Sequence, residues 1–263
     1  MDRGSRAQKS IPLLGLSRRG HACYNPGMQG HPKLILVEGM PGAGKSTLAV
    51  RLAERLAGRG ERVVGYHEMA DDNPIRTRGV DAMRAHHPLV GRLPGVGPDG
   101  FAKDETVYAV EQWGRLARRC EARGETVILE SRYIQNSVQP RYMAGAPAHK
   151  VRSGFTEIGQ ELRASRPLLV YLGPSDVRAA WQRTLAERDA RWGEWLVAGF
   201  SRMGWARERG LEGKEAVIAF YEEWERLAAE LLDLHPGPRL RIDDPQLDWD
   251  DALERMVGAA RPA

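Results

Sequence analysis

Cysteine is nearly missing from this chain of 263 residues: Cys23 and Cys120 are the only two, and they show no metal-ligand spacing. Such usage fits a reducing cytoplasm better than a disulfide framework. Long apolar runs are missing too. None approaches the roughly 18 residues of a membrane span, and Ile11 to Leu16 is too short and proline-interrupted for the core of a signal peptide. The expectation is a soluble, cytoplasmic protein with no membrane partner. Lysine is scarce, at six of the 39 cationic residues, and the formal charge is only +4. Acidic residues are interspersed throughout, and no basic stripe carries interleaved aromatics, which argues against nucleic acid as a partner. The richness in arginine, alanine and glycine reads instead as the mark of a GC-rich genome. Internal repeats are absent, and a homodimer is left open.

Against this plain background residues 34–49 stand out. Leu34 to Val37 is an apolar run of strand type. Gly39-Met40-Pro41-Gly42-Ala43-Gly44-Lys45-Ser46 fits G-x-x-x-x-G-K-[ST], and Leu48, Leu52 and Leu56 open a helix at i, i+4, i+8. The glycines at 39, 42 and 44, with Pro41 and Ala43 between them, let successive backbone N–H groups curl around a β-phosphate. The helix N-terminus, at Ser46-Thr47, adds partial positive charge. Lys45 can reach the β- and γ-phosphates, and the Ser46 hydroxyl can ligate Mg²⁺. Strand, loop and helix in this order predict a site for a nucleoside triphosphate, ATP with Mg²⁺.

From Lys33 onward the rhythm is β-α-β, which calls for an α/β three-layer P-loop fold with a five-stranded parallel sheet and right-handed crossovers. Predicted strands cover 33–38, 62–67, 126–129, 167–172 and 239–243. Predicted helices cover 44–58, 104–122, segments up to about 165, then 175–188, 214–234 and 249–258. Residues 1–30 are basic, rich in Gly, Ser and Arg and without apolar periodicity. They read as a disordered extension ahead of one domain over 31–263, with Met28 as a candidate start. Residues 70–103 hold Asp71-Asp72-Asn73-Pro74, His86-His87-Pro88 and a Gly/Pro-rich stretch. They form a long insertion of the kind that shapes a substrate pocket.

Two P-loop classes are disfavoured by the strand ends. A motor of the AAA type needs an apolar strand ending in adjacent acids, but the third strand ends Ile128-Leu129-Glu130-Ser131-Arg132, with one acid. A GTPase switch needs Asn-Lys-x-Asp after a late strand, and Leu172-Gly173-Pro174-Ser175-Asp176 does not serve. A phosphotransferase remains.

Four features then occur in order: the loop Gly39–Ser46, Glu68 at the end of strand two, Glu130-Ser131-Arg132-Tyr133 after strand three, and Arg183, Arg188 and Arg191 after strand four. Over roughly residues 33–258 this order resembles the nucleoside and nucleotide kinase group, including deoxynucleoside and thymidylate kinases. The acid followed by Gln135-Asn136 looks closer still to a set of poorly characterised bacterial P-loop kinase-like proteins.

The resemblance implies that Glu68 accepts the proton of the substrate hydroxyl. The carboxyl end of an inner parallel strand opens onto the active crevice, where a carboxylate can orient a hydroxyl for in-line attack. Asp71 and Asp72 compete for that role, and His67 reads as a wall residue. Glu130 would hold Mg²⁺ through water or orient Lys45. Relatives read Glu-Arg-Ser or Asp-Arg-Tyr where this chain reads Glu-Ser-Arg-Tyr, however, and a shift of one on a strand reverses the face. Arg132 would contact phosphate or substrate. Residues 183–196 look like an arginine lid in which Arg183 touches the nucleotide. Arg188 and Arg191 lie three apart, so a helix would place both on one side, where they would stabilise the charge of the transferring group. Gln112 lies where deoxynucleoside kinases place a base-reading glutamine.

The sequence therefore reads as an ATP- and Mg²⁺-dependent kinase that transfers the γ-phosphate to a hydroxyl of a small molecule. The acceptor is nucleoside-like or a secondary metabolite such as an antibiotic. The alternatives are a nucleotide-binding regulatory protein with little turnover, or a polynucleotide 5′-kinase, which the missing basic groove weakens.

Overall fold

A strand that is apolar without alternation must be covered on both faces, and β1 (Leu34–Gly39) is buried at all six positions. The computed structural model, which describes residues 32–76 and 105–261, places this strand at the centre of a five-stranded sheet. Its companions are β2 (Val63–Tyr66), β3 (Thr126–Glu130), β4 (Leu168–Gly173) and β5 (Arg239–Asp243), in the order β2-β3-β1-β4-β5 with every pair parallel. The register sets Leu36 opposite Leu129, Val37 opposite Glu130 and Gly39 opposite Leu172. After β1 the chain moves to the β2 and β3 side, and after β3 it crosses to the β4 and β5 side. The C-terminal end of β1 is therefore where the connections diverge and a crevice opens.

Helices flank the sheet. In order they are α1 (Lys45–Ala57), α2 (Glu105–Arg123), α3 (Gln139–Met143), α4 (Ala148–Leu162), α5 (Val177–Glu187), α6 (Ala190–Ser201), α7 (Gly204–Glu208), α8 (Gly213–Leu234) and α9 (Trp249–Ala259). Helix α1 buries Leu48, Leu52 and Leu56 and packs with α9, while α2 packs with α4 and α4 with α8. The predicted stripe of α8 is fully realised, from Val217 to Leu231. Within it the rings of Phe220 and Trp224 stack at 6.1 Å and 7°. Among the described residues no helix is long and apolar enough to cross a membrane.

One departure from the sequence-based expectation bears on the site. Strand β2 ends at Tyr66, so Glu68 stands in the turn beyond it rather than on the strand. The helical segments expected after β3 are α3, with a proline in its first turn, and α4, capped by Pro147; Gly145 between them takes φ 96°. The helix expected over 175–188 is α5, and it ends there, so Arg188 and Arg191 do not share one helix. Arg188 caps the end of α5 in an extended conformation, and the Asp189 carboxylate accepts the Arg191 N–H at 2.9 Å to start α6. The expected N-terminal extension and most of the 70–103 insertion, with His86 and His87, lie outside the described residues.

Candidate nucleotide-binding site

The loop after β1 turns where only glycine fits. At Gly39 φ is 142°, and a Cβ there would run into the main-chain oxygen of Leu172 on β4. At Gly44, the residue capping α1, φ is 83°, and a Cβ would fill the space held by the Trp249 ring. The loop is thus a backbone cradle wedged between β4 and the start of α9. Lys45 follows at once, 7% exposed, with Nζ donating to the carbonyls of Gly39 at 3.0 Å and Met40 at 2.9 Å. Burial lowers its pKa, opposed by the carboxylates of Glu68, Glu130 and Glu38 and reinforced by the Arg188 charge. Those four groups therefore surround the cradle electrostatically.

On the β3 side, the carboxylate of Glu130 is the meeting point. Its Oε1 accepts from Ser46 Oγ at 2.9 Å and lies 3.2 Å from His67 Nε2 and 3.5 Å from the Glu68 N–H. The Met69 N–H donates to His67 Nδ1 at 3.1 Å, which leaves the imidazole proton on Nε2 to be donated to Glu130. Burial pushes the Glu130 pKa up, countered first by His67. The Glu-Ser-Arg-Tyr sequence therefore still aims Glu130 at the phosphate loop. The residue that turns away is Ser131, with φ 58°. His67, expected as a wall residue, belongs to this cluster. Its partner is 63 residues away, and no local pattern signals it.

Glu68 is half-buried beside Lys45, whereas Asp71 and Asp72 are exposed. Arg132 is 3% exposed, and its guanidinium donates to the backbone oxygen of Glu68. The amide of Gln112 grips the main chain of Arg76, accepting from its N–H at 2.6 Å and donating to its carbonyl at 2.8 Å.

One functional neighbour was missed altogether. Glu38, the last residue before Gly39, is 0% exposed, and its carboxylate accepts the N–H groups of Tyr133 at 2.6 Å and Gln135 at 3.0 Å. Burial raises its pKa to about 7 against those hydrogen bonds and the Lys45 charge. A lone acid closing an otherwise apolar central strand was the available signal.

On the β4 side, a cleft runs between loop residues Met40 to Ala43, Gly173-Pro174, Arg183-Thr184 and Asp244 with Gln246. A Cβ at Gly42 would collide with the Thr184 hydroxyl, so α5 lies directly against the cradle. Arg183, Arg188 and Arg191 are all exposed, and the Arg188 guanidinium sits 5.2 Å over the Trp192 ring.

For a divalent cation the donor set is oxygen-based, a hydroxyl and a carboxylate already in contact, which suits Mg²⁺. Among the described residues no group of three or more His, Cys, Asp or Glu is arranged to hold a metal by itself. Phosphate oxygens and water would have to complete the shell.

A family model described as an AAA domain matches residues 34–194, more than half of the chain. Among solved structures, the crystal structure of APE1195 aligns with 88% of this chain and 95% of its own. The identity is 15% and the TM-score 0.44. No curated protein sequence matches.

Proposed function

Because the chain belongs to a family of AAA domains that is P-loop and kinase-like, we propose that it is a cytoplasmic, Mg²⁺- and ATP-dependent phosphotransferase acting on a hydroxyl of a small molecule. The observation that carries this reading is the convergence at one Glu130 oxygen of Ser46, His67 and the Glu68 backbone, next to Lys45. A cation-binding edge and a second carboxylate, Glu68, thereby flank the same phosphate cradle.

In this reading the backbone N–H groups of residues 39–47 and the Lys45 ammonium bind the triphosphate. Lys45 exchanges the carbonyls of Gly39 and Met40 for phosphate oxygens. Ser46 and Glu130 would hold Mg²⁺, which would supply charge neutralisation to the bound triphosphate. Arg183 covers the nucleotide in the cleft beside Thr184. Arg188, just past the end of α5, and Arg191, in the first turn of α6, neutralise charge on the transferring group. Arg132 acts from beneath, holding the backbone of Glu68. The Glu68 carboxylate orients the acceptor hydroxyl and takes its proton. A nucleoside-like or secondary-metabolite acceptor fits this arrangement equally well.

The test is titration of Mg·ATP by calorimetry, followed by a screen of nucleosides and hydroxylated metabolites for stimulated ADP release. Wild-type protein should bind and turn over, and Lys45→Ala should lose affinity or turnover sharply. Unchanged binding and turnover in Lys45→Ala would sink the assignment. Tight binding with no acceptor ever raising ADP release would favour a nucleotide-binding switch.

A further inference from the structure

We propose that Glu38 is a positioning residue that ties the phosphate loop to Glu68 through the turn that follows β3; the inference rests on the kinase reading for its purpose, but not for its test. A charged side chain fully inside a sheet is costly unless every oxygen is engaged. Glu38 meets that condition by inserting its carboxylate into the main chain of residues 133–135, where the Tyr133 and Gln135 N–H groups donate at 2.6 and 3.0 Å and the Ile134 N–H contributes as well. Successive N–H groups pointing into one concavity make an anion-binding nest. Here the anion is the protein's own, and it is delivered from the residue immediately before the phosphate cradle.

The turn that forms the nest is built for the purpose. The Ser131 N–H still donates to Val37 O at 2.9 Å, extending the sheet ladder by one bond. The chain then reverses through the left-handed conformation of Ser131, which a serine adopts only at some cost. That reversal brings 133–135 over Glu38 and aims Arg132 the other way. The Arg132 guanidinium donates to the backbone oxygen of Glu68, 64 residues earlier in the chain. The path is therefore continuous: Gly39 and its loop, Glu38, the turn, Arg132, Glu68. Strand β2 has already ended at Tyr66, so sheet pairing does not hold Glu68, and the bracket supplies what the ladder no longer does.

The experiment is amide hydrogen exchange by NMR on the full chain, comparing wild type with Glu38→Gln, together with calorimetric titration of Mg·ATP and a thermal melt. Glutamine keeps the shape but turns an amide NH₂ towards a backbone N–H, so one hydrogen bond is lost and donor faces donor. Loss of a charge-assisted hydrogen bond corresponds to about tenfold or more in local protection. We expect exchange to speed up by that factor at Tyr133 and Gln135 and also at Glu68, with Gly42 and Gly44 unchanged and Mg·ATP affinity within about threefold of wild type. Where an acceptor is in hand, kcat should fall while nucleotide affinity holds. A merely structural carboxylate would lower the melting temperature and speed exchange at 133 and 135 without reaching Glu68, and that result overturns the inference. So does an equal loss of Mg·ATP affinity, which would make Glu38 part of the cradle itself. If Glu38→Gln does not fold, Arg132→Met cuts the same path one link later. Faster exchange at Glu68 supports the bracket, and unchanged exchange overturns it. A wild-type protein that binds no Mg·ATP would defeat the kinase reading alone, since the exchange measurements still decide the bracket.

Discussion

The two walls of the cleft are made of different material. On the β4 side the nucleotide would meet main chain: the glycine turns of 39–44, Gly173-Pro174, and a helix pressed so close that a Cβ at Gly42 would strike Thr184. On the β2 and β3 side it would meet side chains held by one another, Ser46 to Glu130, His67 to Glu130, Arg132 to the Glu68 carbonyl, and Glu38 to the turn at 133–135. The turns of the backbone wall are specified locally, because Gly39, Gly42 and Gly44 each take a positive φ that their own residue type allows. A wall of side chains is specified by partners 63 to 97 residues apart, and each link depends on the next.

That contrast predicts where mutations hurt. The largest effect should come from Glu68→Gln, which keeps the shape but removes the proton acceptor. Turnover should drop by about 10²–10⁴-fold in an ADP-release assay with a working acceptor, while calorimetry still shows Mg·ATP binding. Exposed Asp71, changed to Asn, should stay near wild type; the reverse ranking would hand the base to Asp71 and blur the division between the walls.

The side-chain wall should also be the acid-sensitive one. His235 lies beneath it, its Nε2 2.9 Å from the Pro167 carbonyl and its ring edge-on to Tyr133. Burial lowers its pKa from 6.5 to about 4. The unfolded chain therefore binds a proton that the folded one refuses between those values, so this contribution to stability is lost as pH falls from about 6.5 to 4, about 3 kcal/mol in all. His235→Gln, which can still donate to Pro167, should lose correspondingly less over that window in urea titrations. Glu38 acts in the opposite sense. Its pKa rises to about 7 in the fold, so its contribution is complete at low pH and is lost as pH climbs from about 4.5 through 7. Only the difference between wild type and variant isolates the histidine. Equal acid slopes for the two proteins would remove His235 from the explanation.

A smaller effect belongs to His67. His67→Ala should weaken Mg·ATP binding relative to metal-free ATP by about tenfold, the cost of freeing Glu130 from one hydrogen bond. His67→Gln, whose amide can reach the same oxygen, should recover most of it. Equal affinities with and without Mg²⁺ in both variants would detach His67 from the cation edge. The smallest effect should follow deletion of residues 1–27, a stretch with no apolar periodicity. The melting temperature should move by less than about 4 °C, on the order of 1 kcal/mol; a larger drop would show that the segment packs.

The same division explains what the sequence revealed. The cradle, β1 and α1 were legible because strand, glycine spacing and the Leu48, Leu52, Leu56 series are consecutive signals. The five parallel strands followed from apolar runs separated by helical stretches, and their ends came within a residue or two. The end of the helix at 188 was legible, but α6, which Asp189 caps, was not among the predicted elements, because a short run with charged residues at its start carries no clear apolar period. Nor were Glu38 and His67 legible, because their roles exist only once β1, β2 and β3 lie side by side. Glu130 was anticipated from its strand-end position, yet its aim was settled only by the positive φ of Ser131.

The pairing of β1 with both neighbours has a practical side. Val37 stands opposite Glu130 and Gly39 opposite Leu172, and a slip of one residue would move a strand by about 3.3 Å and reverse its faces. The 2.9 Å contact between Ser46 and Glu130 cannot tolerate such an offset. Retention on an immobilised nucleotide would therefore sort a refolded preparation by whether its central strands have zipped in phase. The chain would certify its own assembly by the nucleotide it retains.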